Sequence, residues 1–85
     1  MNFDLEKLVT EMYKEWVRLL AMAVDLDKYA RYGELTRRRF RKAQAIFQQM
    51  SSLYDDIWRL APDFAQSVDM GTDEALSLTI LNDFR

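Results

Sequence analysis

From Leu5 to Ala30 the apolar residues Leu5, Val9, Met12, Trp16, Leu19, Ala23, Leu26 and Ala30 fall at intervals that alternate four and three. That spacing keeps one side of a helix apolar along its whole length, whereas a strand would scatter the same residues over both faces. A second stripe follows with the same alternation: Phe40, Ala43, Phe47, Met50, Tyr54, Ile57, Ala61 and Phe64. The chain has two glycines and one proline, so the helices have few places to break. The pattern predicts an all-α fold.

Each break has a physical cause. Gly33 is placed to cap a first helix of about 4–32 in the left-handed conformation. Pro62 stops a second helix of about 34–60, because it biases Ala61 away from helical dihedrals and cannot continue the hydrogen-bond ladder. The same proline can open a short turn of helix through Val68. After Gly71, Thr72 reads as an N-cap, with Asp73 and Glu74 in the first turn, where the helix dipole favours acids. Leu76, Ile80, Leu81 and Phe84 then share a face, which predicts a short C-terminal helix of about 72–83. The expectation is one helical domain over residues 1–85.

The two stripes are out of register by a spacing of ten between Ala30 and Phe40. A hairpin turning at Gly33 explains the slip; so does one continuous helix with a stammer. Charge favours the hairpin. Asp25 and Asp27 stand at a helix C-terminus, and Arg37, Arg38, Arg39, Arg41 and Lys42 at an N-terminus, both disfavoured by the dipole. Folding back at Gly33 brings the two together, with Asp27 roughly opposite Arg37. The expected architecture is an antiparallel helical hairpin with coiled-coil-like packing plus the short C-terminal helix.

Composition narrows the chemistry. The chain has no cysteine and no histidine, which removes disulfides, thiolate metal sites and the commonest general base. Glu11 with Glu15, and Asp55 with Asp56, are carboxylate pairs that read as solvated helix faces. Because Glu11 and Glu15 are like charges one turn apart, part of that face is expected to lack internal pairing. No Glu-x-x-His motif or glycine-rich phosphate loop occurs, and Asp-Met-Gly-Thr-Asp-Glu at 69–74 lacks the alternating acids of a calcium loop. The expectation is a protein that is not an enzyme and carries no cofactor or metal. The N-terminus lacks the basic and apolar regions of a signal peptide, and no run approaches the ~20 apolar residues of a membrane span. That predicts a cytoplasmic protein without a membrane partner.

What remains is binding. Beside the second stripe runs a row spaced by seven, Ile46, Leu53 and Leu60, and Leu8, Tyr13, Val17, Leu20, Met22 and Val24 broaden the first helix. Such breadth belongs to helices packed on two sides. An 85-residue chain also has a marginal core, for which oligomerisation is the remaining support. The expectation is a homodimer, two hairpins forming a four-helix bundle, or a hairpin docked on another protein's helices. A core covered internally by the third segment is the competing reading. The interface is expected at Ile46, Leu53 and Leu60 with Trp58 and Arg59, since tryptophan and arginine are enriched in hot spots.

Arg37, Arg38, Arg39, Arg41 and Lys42 hold five of the twelve cations and leave fourteen acids against seven bases elsewhere. Arginines form bidentate bonds with carboxylates, so an acidic protein partner suits them. The alternative is a nucleic-acid-binding accessory protein that grips phosphates with the cluster and stacks a base on Tyr32 or Phe40. Phe40 lies on the core stripe, and the acidic remainder would repel a polyanion, so the first use is preferred. The expected function is a protein–protein interaction module: an adaptor, a small inhibitor or a subunit of a larger assembly.

Overall fold

Asp4 opens the first helix, α1 (Leu5–Arg31), by accepting the Lys7 backbone N–H on its carboxylate at 3.0 Å. The computed structural model describes the backbone of residues 4–84 and the side chains of 4–82. Helix α1 closes with paired reverse bonds. Gly33 N–H donates to the Ala30 carbonyl at 3.3 Å and Glu34 N–H to the Tyr29 carbonyl at 2.7 Å. That 5→2, 6→1 pattern needs a left-handed residue after the cap, and Gly33 supplies it at φ 71°.

Helix α2 (Arg37–Leu60) starts three residues later than the expected Glu34. Thr36 sets the start, accepting the Arg39 N–H on its hydroxyl at 3.2 Å. The chain turns back between the helices, and α1 packs along α2; it is a hairpin, not one continuous helix. The molecule measures 50 × 24 × 19 Å.

Pro62 opens a short helix, α3 (Pro62–Ser67), in the first-turn position where its missing N–H costs nothing. The expected helix over 72–83 is instead two pieces, α4 (Thr72–Leu76) and a 3-10 helix (Thr79–Phe84). Leu78 and Ile80 are both buried, and an α-helix would turn residues two apart by roughly 200°. Unwinding at Ser77 and Leu78 lets both face inward. Thr72 is not the cap of α4: Gly71 holds that position at φ 68°, with no side-chain cap bond, and Thr72 begins the helix. The buried set there is Ala75, Leu78 and Ile80, while Leu76 is 61% exposed.

Both stripes meet in the core. Val9, Trp16, Leu19, Ala23 and Leu26 of α1 are buried against Ala43, Ile46, Met50 and Ile57 of α2. Ala65 of α3 joins the same cluster, and after α3 the chain runs back along α1 and covers its second flank, burying Met70, Ala75, Leu78 and Ile80. Side chains of α1 hold the backbone of this tail at successive points. Tyr13 Oη donates to the Asp69 carbonyl at 3.0 Å and Trp16 Nε1 donates to the Met70 carbonyl. Higher up, the Asp27 carboxylate accepts the Ile80 N–H at 2.7 Å. Among the described residues no helix is long and apolar enough to cross a membrane.

Candidate interaction site

The hairpin turn gathers charge, but not by the pairing that helix polarity suggests. Asp27 is 4% exposed; one oxygen accepts from Ile80 and the other lies 3.4 Å from Arg31 Nε. Asp25 pairs with Lys28 at 3.2 Å, and that hydrogen bond, with the carboxylate's charge, holds the Lys28 ammonium above its ordinary pKa. Among the described residues no ion pair joins either aspartate to Arg37–Lys42. The reason lies in helical position: Asp27 is four residues past the core residue Ala23, so it points inward and meets the tail.

Arg39 is used by the fold. Its guanidinium carbon sits 3.8 Å from the centre of the Tyr29 ring, across the turn, and its Nη1 donates to the Glu34 carbonyl at 3.0 Å. Lys28 Nζ lies 5.2 Å from the same ring. Arg39 thus clamps the turn onto the Tyr29 ring, while Lys28 meets the same ring from its own helix.

Arg37, Arg38, Arg41 and Lys42 are exposed and have no carboxylate partner among the described residues. Five other cations are neutralised locally. Lys14 meets Glu11, Arg18 meets Glu15, Lys28 meets Asp25, Arg31 meets Asp27 and Arg59 meets Asp56. The expected pairing gap at Glu11 and Glu15 is therefore filled, each acid taking a cation three residues on, and the Arg18 bond holds the Glu15 carboxyl below its usual range. Residues 25–42 carry seven cations against three acids, and the rest of the chain five against eleven. Tyr32, at the tip of the turn, is 77% exposed.

The expected apolar patch does not form one surface. Ile46 is 3% exposed and belongs to the core, Leu53 is half-buried against it, and Leu60 is 41% exposed. A row spaced by seven drifts about 20° per heptad on a straight helix, so these two heptads move it about 40°, from the core towards its rim, and Leu60 is also the last residue of α2. Trp58 is half-buried, its ring 6.1 Å from that of Tyr54, and its buried indole N–H has no acceptor among the described residues. Arg59 is exposed and holds Asp56 at 2.6 Å.

Two apolar hollows do open on the surface. Leu60 shares one of about 520 Å³ with Leu5, Val9 and Phe64. The other, of about 380 Å³, lies between α2 and the tail and is lined by Phe47, Met50, Tyr54, Ala75, Leu76 and Leu81. This second groove escaped the sequence reading, because Leu76 was assigned to the buried face of an unbroken helix. Among the described residues no three carboxylates converge as metal ligands.

No protein-family model, curated protein or solved structure matches the chain.

Proposed function

We propose that this protein is a non-enzymatic interaction module that binds an acidic protein surface through Arg37, Arg38, Arg41 and Lys42 at the start of α2. One observation carries the reading: these are cations without a carboxylate in a chain that pairs most of its others. Their position sharpens it. Helix α2 has no acid in its first turn, and Arg37 and Arg38 are its first two residues. Each cation there costs ~0.3–1 kcal/mol against the helix dipole. An arrangement that opposes the fold is accounted for by a partner whose carboxylates neutralise it.

Self-association completes the reading: two such hairpins, packed in coiled-coil fashion, form a four-helix dimer that covers apolar surface left open at Leu76. Tyr32 favours a second reading, since an exposed ring in the turn that leads to the basic start of α2 is available to stack on a base of a nucleic acid.

The test uses the double variant Arg38→Glu/Lys42→Glu, in which Arg38→Glu places an acid in the first turn, where the dipole favours it, and Lys42→Glu changes an exposed side chain. Wild type and variant are titrated by fluorescence anisotropy with a poly-glutamate peptide and with DNA and RNA oligonucleotides of matched length. Peptide binding that is lost in the variant supports the acidic partner. Oligonucleotide binding with a steep salt dependence, lost in the same variant, moves the function to nucleic acid. Binding of neither, or equal binding by the variant, removes the cluster from the function.

A further inference from the structure

We propose that a second copy of this chain docks antiparallel along the groove between α2 and α4, related by a two-fold axis close to Gln48. This rests on the self-association proposed above and specifies its surface.

The shape is self-complementary. The groove of about 380 Å³ continues over Gln44, Gln48 and Ser51 as a hollow of about 270 Å³, with Phe47, Ser51 and Leu81 common to both. On its rim Leu76 is 61% exposed, so an apolar knob stands beside an apolar hollow on the same face. An isologous contact brings the same patch together twice, and each copy's Leu76 then finds the other copy's groove.

The charges choose the occupant and its direction. Arg37, Arg41, Gln44, Gln48, Ser51 and Asp55 recur at intervals of four and three along α2, and all are exposed. That row is basic at one end, uncharged in the middle and acidic at the other. A two-fold axis sets the groups nearest it against their own copies, so a charged centre would repel itself; this centre is neutral. Arg41 lies seven residues before Gln48 and Asp55 seven after, and neither has an ion-pair partner among the described residues. An axis at Gln48 therefore places Arg41 of one copy opposite Asp55 of the other, twice. Asp73 shares a hollow with Tyr54 and Trp58, and adds to the acidic end. A parallel pairing would set Arg41 against Arg41 and is disfavoured on the same grounds. In this dimer Arg41 takes its carboxylate from the second copy, and Arg37, Arg38 and Lys42 remain for the acidic partner proposed above.

The chain has no cysteine, so a single introduced thiol reports on the axis without background. Light scattering across a wide dilution range gives the molar mass of the wild type. Gln48→Cys under mild oxidation should link to its own copy, and Glu11→Cys, exposed on α1, should not. Arg41→Glu should weaken dimerisation by about tenfold or more, and Arg41→Glu/Asp55→Arg should restore it. Circular dichroism confirms that each variant is helical. A dimer that shows the cross-link and the charge rescue supports the proposal. A dimer in which Gln48→Cys fails to link and Arg41→Glu has no effect overturns this surface but leaves self-association standing. A wild type that is monomeric at every concentration overturns both.

Discussion

The Asp27 carboxylate in α1 accepts the backbone N–H of Ile80, fifty-three residues later, at 2.7 Å, and both residues are buried. This bond fixes where the tail lies against the hairpin and gives a buried donor its acceptor. Asp27→Ala leaves that N–H unsatisfied and should destabilise by ~1–3 kcal/mol, while Asp27→Asn retains an oxygen acceptor and should lose less. Urea unfolding measures the loss. Hydrogen exchange localises it: the amides of residues 78–82 should speed up more than those of α2. Uniform acceleration would mean that Asp27 does not hold the tail.

The two glycines have the same backbone conformation and different surroundings. Both are left-handed, at φ 71° and 68°, but a Cβ on Gly33 would meet open space, and one on Gly71 would come within 2.6 Å of Leu20 Cδ2. Gly33→Ala should cost only the conformational strain, ~1–2 kcal/mol. Gly71→Ala should cost ~1–3 kcal/mol beyond that for the overpacking. Leu20→Ala should cost less in the Gly71→Ala background than in the wild type, and thermal melts of the two single variants and the double test the coupling.

The two tryptophans should respond oppositely to removal of the indole nitrogen. Trp16 donates to the Met70 carbonyl, whereas the buried Trp58 N–H has no acceptor among the described residues. Trp16→Phe forfeits a hydrogen bond and leaves a carbonyl unpaired, for ~1–3 kcal/mol. Trp58→Phe removes an orphan donor and should be nearly neutral. Equal losses in denaturant melts would contradict this distinction.

Within the arginine run, stability and binding should separate. Arg39→Ala loses the stack on Tyr29 and the bond to the Glu34 carbonyl, and should cost about 1 kcal/mol. Arg39→Lys should not restore it fully, because an ammonium lacks the planar face. Arg38→Ala should leave the melting temperature unchanged or raise it slightly, since a cation leaves a helix N-terminus. A stability loss at Arg38 matching that at Arg39 would assign the whole run to the fold.

How far the sequence carried can be judged residue by residue. The helices, the turn at Gly33 and the break at Pro62 were legible because each follows from local spacing or backbone chemistry. The course of the tail was not. Its conformation is imposed by Tyr13, Trp16 and Asp27, more than fifty residues away, and Leu78 and Ile80 override the helical period to reach the core. Asp27 read only as an acid at a helix C-terminus, which sent it towards Arg37; that it stands four residues past Ala23, on the inward side of α1, carried no weight beside the helix dipole. The arginine run was legible as a cluster, but only the ring of Tyr29 separates Arg39 from its neighbours. The apolar row at Ile46, Leu53 and Leu60 looked like one surface because a spacing of seven hides its slow rotation.

The tail's distant anchors also set an order of assembly. The hairpin closes across a turn of only five residues, so its pairing is local and should be rapid. Seating the tail requires partners far apart in sequence and must await the formed α1 that presents them. Both tryptophans meet the tail: Trp16 donates to the Met70 carbonyl, and Trp58 shares a hollow with Val68, Asp69 and Met70. In a stopped-flow refolding experiment the far-ultraviolet circular dichroism of the helices should settle first and the tryptophan fluorescence later, a chronometer built into the chain's own fluorescence.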